Sequence, residues 1–117
     1  MSYVNGFLVP VPNANREAYI RMAEAAAVVF KEYGALKLVE AWGVDVPEGE
    51  VTSFPMAVKI EDGETVVFSW IVWPSKEVCD AAMPKVMADE RLHEWETNMP
   101  FDGKRMIYGG FEVIVEA

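Results

Sequence analysis

The side chains best suited to proton chemistry are Glu40, Tyr108 and His93. Glu40 is an acid in the middle of a strand-like run, Lys37 to Val46, beside Trp42. A carboxyl held there loses water, its pKa rises, and it suits general acid or base work. A paired or rim-exposed carboxylate is the structural alternative. The Tyr108 phenol is able to orient a substrate oxygen, or simply to pair its hydroxyl while the ring is buried. His93 is the only imidazole, within Asp89-Glu90-Arg91-Leu92-His93-Glu94-Trp95-Glu96. Asp89 at i−4 and Glu96 at i+3 put a carboxylate on its helix face, which would orient the ring as a base or ligand. A solvated helix end competes with that reading, because no second histidine completes a metal set.

Three further motifs carry weaker chemistry. Lys104 and Arg105 follow the Asp102-Gly103 turn, either as an anion site or as a solvated turn. Gly109-Gly110 interrupts a bulky strand, the mark of a bulge, of helix packing or of a ligand's close approach. Cys79, beside Ala81, Ala82 and Met83, reads as a small core residue. A lone cysteine excludes a disulfide framework and a thiolate zinc site. The sequence predicts neither a metal nor a cofactor.

The 117 residues fit one domain, 1–117, and 52% hydrophobic content supplies a core. A formal charge of −9 disfavours nucleic acid as partner, because phosphate binding needs clustered Lys and Arg. No run of about 18 apolar residues suggests a membrane span. The first residues, MSYVNGFLVPVPN, lack the basic start of a secretory signal, so the expectation is a soluble cytoplasmic protein.

The elements follow from periodicity and punctuation. Tyr3 to Val11 reads as a strand. Asn13 or Asn15 caps a helix whose Tyr19, Met22, Ala23, Ala26, Phe30 and Tyr33 recur at helical spacing, and Gly34 ends it. Lys37 to Val46 is a second strand. Between 48 and 64, a hairpin around Asp62-Gly63 competes with a helical turn starting near Ser53. Thr65 to Trp73 is a third strand. Ser75 caps a second helix with Val78, Cys79, Ala82, Val86 and Met87 inward, and Pro84 should kink or split it. Asp89 reads as a further cap, and Lys104 to Val115 as the last strand.

This βαββαβ order predicts an α+β, ferredoxin-like fold: an antiparallel four-stranded sheet with helices on one face. The third and fourth strands are apolar on both faces, although helices cover only one. A second copy is the simplest cover, which predicts a homodimer, a dimeric α/β barrel. Val39, Ala41 and Gly43 suit the helix-covered side. Tyr3, Asn5, Phe7, Glu40, Trp42, Phe68, Trp70, Tyr108 and Glu112 then make an aromatic wall with a few polar groups toward the partner. That wall would line either a small-molecule cavity or a plain dimer core.

Several segments together point to a family: Asp-Val-Pro-Glu-Gly at 45–49, Val-Val-Phe-Ser-Trp-Ile at 66–71, Pro-Ser-Lys at 74–76 and Lys-Val-Met-Ala-Asp at 85–89. Met-Pro-Phe-Asp-Gly-Lys-Arg-Met-Ile-Tyr-Gly-Gly-Phe-Glu at 99–112 is the most specific. With them the chain resembles the YbaA-like bacterial family over nearly its whole length. That family in turn resembles the dimeric α/β-barrel superfamily. The resemblance implies the same architecture and brings no activity. Three functions remain open: a dimer binding a small, partly apolar molecule between its sheets, a cofactor-independent oxygenase or isomerase, and a structural or interaction dimer.

Overall fold

The computed structural model describes residues 2–117. Its strands are β1 (Tyr3–Pro12), β2 (Lys37–Trp42), β3 (Glu64–Trp73) and β4 (Ile107–Glu112). Its helices are α1 (Arg16–Glu32), the short α2 (Phe54–Ala57), α3 (Lys76–Ala88) and the short α4 (Glu94–Thr97). All strand pairs are antiparallel, in the order β2-β3-β1-β4. This is the expected ferredoxin-like arrangement. β1 and β3 are central, and their runs of Val, Phe, Ile and Trp suit strands paired on both sides.

Local chemistry sets most boundaries. α1 ends where Gly34 adopts φ +115°, a value open to glycine and costly for other residues. The Ala35 N–H bonds to Phe30 O and the Gly34 N–H to Lys31 O, a Schellman closure. At the other end of α1 the expected asparagine cap is absent. Asn15 Nδ2 donates instead to Pro100 O at 3.0 Å, and Asn13 Oδ1 accepts from Thr65 Oγ1. Ser75 caps α3 through the Val78 N–H, as expected. The helix runs through Pro84 rather than splitting. Pro84 and Asp80 are exposed, so water can take the carbonyl that Pro84 leaves unpaired. Met87, expected to point inward, is exposed, while Met83 packs against the core.

Three strand boundaries differ from expectation. β2 stops at Trp42 because its neighbour β3 is itself near its start, and only Gly43 adds a further bond, to Val66 O. The hairpin around 62–63 does not form. Ser53 Oγ accepts from the Met56 N–H and Pro55 sits in the first turn, so the helical turn α2 wins. β4 begins at Ile107, since Asp102 closes a turn through the Lys104 N–H. It ends at Glu112, the partner of Tyr3, with one last bond from the Val113 N–H to Ser2 O.

Arg105 explains that end of the sheet. Its guanidinium grips Glu64 with two bonds of 2.8 and 2.6 Å, and also bonds Asp102 Oδ2 and Lys59 O. A fork of this kind fixes geometry as well as charge. Arg105 is therefore committed to a clasp between three segments, neither an anion site nor a solvated turn.

The helices α1 and α3 cover one face of the sheet. One cluster joins Val9, Val11, Tyr19, Ala23 and Val67, and the other joins Ala35, Ile71, Trp73, Cys79 and Ala82. The register then fixes every neighbour, because directly paired residues share a face. Tyr3, Asn5, Phe7, Leu38, Glu40, Trp42, Ser69, Ile71, Trp73 and Tyr108 lie on the helix side. Val4, Gly6, Leu8, Val39, Ala41, Phe68, Trp70, Val72, Ile107, Gly109 and Phe111 lie on the open side. The expected wall is thus divided. Only Phe68 and Trp70 of it face outward, and Val39 and Ala41 accompany them instead of facing the helices.

Candidate functional site

Glu40 is a mid-strand acid, as the sequence indicates, but its surroundings differ from expectation. Its carboxyl turns under α1, where the Tyr19 hydroxyl donates to Glu40 Oε1 at 2.7 Å. Tyr19 is 4% exposed and braced edge-on by Phe101. Ser69, directly across on β3 and also 4% exposed, lies on the same face. Burial raises the carboxyl pKa above its ordinary value, while hydrogen bonds from Tyr19 and Ser69 work against that rise. Burial also pushes the Tyr19 phenol far upward, and the neighbouring Glu40 charge adds to it. Glu40 sits on an edge strand and keeps solvent access, so its desolvation is partial. An acid with a raised pKa, a phenol donor and a route to water form a group able to hold or deliver a proton.

Tyr19 and Ser69 were not among the site residues read from the sequence. The available signal was the phenol itself: a tyrosine on a buried helix face needs an acceptor. Glu40 is the acid on β2.

The raised pKa has a consequence for stability. The folded chain holds the Glu40 proton more tightly than the unfolded chain does. Its contribution is therefore present at low pH and is lost as pH rises through the folded value. Gln keeps a carbonyl to accept from Tyr19 and never ionises. Thermal melts from about pH 4 to about pH 8 should show Glu40→Gln gaining on the unmodified protein as pH rises toward the folded value and levelling off above it. A constant difference across that range would contradict the assignment.

The other expected site residues separate. Asn5 Oδ1 accepts from Trp73 Nε1 at 2.7 Å and from Cys79 Sγ, which ties β1 to β3 and α3. Tyr3 crosses Gly110: a Cβ there would lie 1.7 Å from the phenol oxygen. The Phe111 ring likewise leans over Gly109. The two glycines thus make room for aromatic side chains of the sheet itself. Phe7 stacks with Tyr108 at 6.2 Å, and Tyr108 is 73% exposed at the sheet edge. The Arg16 guanidinium lies 5.3 Å from the centre of the Trp42 ring. His93 sits exposed between two short helical turns, with Glu96 at 4.0 Å. Asp89 is committed elsewhere, to Arg91 and to the Tyr33 hydroxyl. Its carboxyl is held well below the usual range by those bonds, the Arg91 guanidinium first. Among the described residues, no three of His, Cys, Asp and Glu converge as a metal set.

The open face carries a second feature. Gly6 and Gly109 pair directly, leaving a hollow of about 300 Å³ bounded by Leu8, Phe54, Phe68, Ile107 and Phe111. Phe68 and Trp70 lie 5.2 Å apart beside it.

Comparison with known proteins agrees with this fold. The chain is 60% identical over 116 residues to "Uncharacterized protein YbaA" of Escherichia coli strain K12, covering 99% of each chain. A dimeric ferredoxin-like protein from an uncultured marine organism is similar in structure, with TM-score 0.65, 11% identity and full coverage of both chains. SnoaB, a cofactor-independent oxygenase from Streptomyces nogalater, aligns with TM-score 0.53 at 16% identity, over 98% of this chain and 93% of its own. Both structural likenesses concern the fold alone. The family described as "Protein of unknown function (DUF1428)" matches residues 2–103, and the chain belongs to it.

Proposed function

We propose that the protein is a homodimer whose open sheet faces pack together as an α/β barrel, holding a small, partly apolar molecule between them. The observation that carries this reading is the open face itself. Phe68 is 47% exposed and Phe111 60% exposed, on a face that α1 and α3 leave uncovered and only Phe54 of the short α2 touches, with a glycine-floored hollow in it. Contiguous apolar surface of this kind marks an interface, and a hollow within it is a ready apolar pocket. The dimeric ferredoxin-like neighbour supports the pairing.

Gly6 offers a direct test of the pocket. A Cβ added there meets the Phe111 ring at 3.5 Å, ordinary contact, so a side chain can start from the floor of the hollow. Naphthalene titration followed by tryptophan fluorescence should saturate in the unmodified protein and fail in Gly6→Val. Equal binding by both would remove the hollow from the account.

A second reading, a cofactor-independent oxygenase- or isomerase-like enzyme, rests on the Glu40–Tyr19 pair with its raised carboxyl pKa. It requires a turnover that Glu40→Gln abolishes while the fold survives. Tyr108 and His93 make no contact with that pair among the hydrogen bonds and ion pairs described above. A dimer that takes no apolar probe and shows no turnover would leave the structural role.

A further inference from the structure

A second cleft lies across the α2 turn from the sheet hollow. It measures about 540 Å³ and opens between the chain leaving β2 and the α2 turn. Val46, Met56, Ile60 and Val66 supply an apolar lining, and Glu48, Lys59 and Glu64 supply the charges. That volume falls in the range of ligand sites, and so does the mixture of apolar walls with few polar groups.

The charges are not equivalent. Glu64 is neutralised by the two-pronged grip of Arg105. Lys59 makes no ion pair among the described residues. Its backbone is also unusual. Lys59 has φ +51° just after α2, where glycine or asparagine is the ordinary occupant. Three bonds hold that conformation: Arg105 Nη1 to Lys59 O, the Lys59 N–H to Met56 O and the Ile60 N–H to Pro55 O. The Lys59 backbone is therefore fixed at the wall of the cleft, its exposed side chain carries an ammonium with no ion-pair partner among the described residues, and the Glu64 carboxylate of the same lining is already paired with Arg105. Glu48, which no recorded ion pair satisfies, is the one opposing charge.

We propose that this cleft binds a small carboxylate with an apolar body, its carboxylate on the Lys59 ammonium and its apolar part against Val46, Met56, Ile60 and Val66. The cleft is built from one chain and is separated from the sheet hollow by the α2 turn, whose Pro55 and Met56 line the cleft while Phe54 borders the hollow.

Amide chemical-shift titration with octanoate, with octylamine as the charge-reversed control, tests it. Octanoate should bind with millimolar affinity and move the amides of Val46, Met56, Lys59, Ile60 and Val66. Lys59→Met should weaken binding several-fold, the size expected of a partly exposed ion pair. Glu48→Gln should tighten it by removing the repulsive charge. An unchanged thermal midpoint in Glu48→Gln keeps that arm readable even where Lys59→Met alters the turn. Octylamine binding as well as octanoate, shifts centred elsewhere, indifference to both substitutions, or no saturable shift would each overturn the proposal.

Discussion

Trp70→Arg should give a folded monomer. Trp70 lies on the open face of β3, opposite Gly6 on β1 and Val39 on β2, in the middle of the proposed interface. In a two-fold dimer each substitution is felt twice. An unpaired guanidinium trapped between two apolar sheets costs several kcal/mol. A loss of about 4 kcal/mol already weakens association by roughly a thousandfold. In the monomer the same side chain extends into water along its apolar stem, so the fold is spared. Sedimentation at micromolar concentration should report a single-chain mass, with an unchanged far-ultraviolet spectrum. Phe68→Glu, one pair removed on the same strand face, should behave alike. A dimer persisting in both variants would contradict the interface.

The largest loss of stability should come from Trp73→Ala. Trp73 is 0% exposed, at the end of β3 beneath the helices. Phe30 of α1 meets it edge-on at 6.0 Å, and its indole donates to Asn5 Oδ1. Removing a buried aromatic of this size costs about 3–5 kcal/mol, from lost transfer energy and the cavity left behind. Against a typical total of about 5–15 kcal/mol, that is enough to populate the unfolded chain. Trp73→Phe separates the terms. It keeps most of the ring and loses the N–H, leaving Asn5 with the weak Cys79 thiol alone, at a cost of about 1–2 kcal/mol. Chemical denaturation measures both. A loss under about 1 kcal/mol for Trp73→Ala would place the core elsewhere.

The fold was largely legible because its signals are local. Gly34 ends α1 by conformation, Ser75 starts α3 by its hydroxyl, and the β-branched and aromatic run at 65–73 has no good alternative to a strand. The two-sided apolar character of that run was equally visible. The assignment of faces was not. Tyr3, Asn5 and Glu40 looked out of place beneath helices, so they were expected on the open side. The structure gives two of them partners: Asn5 through Trp73 and Cys79, and Glu40, on the exposed edge strand, through Tyr19. Alternation within a strand says which residues share a face. Only the register says which faces join, and Glu40 pairs with Ser69 while Phe68 pairs with Leu8. The segment 48–64 was undecided for a related reason. Arg105, more than forty residues away in sequence, clasps both Lys59 and Glu64, a tertiary contact that propensity does not contain.

The central claim is that the open sheet face is covered by a second copy, with room for a small molecule between. Native mass spectrometry of the freshly purified, unmodified protein, repeated under denaturing conditions, weighs both parts at once. The account predicts a species at twice the 13.1 kDa chain mass, carrying added mass that denaturation releases. A bare dimer would keep the interface and empty the pocket. A species at the single-chain mass would contradict the account.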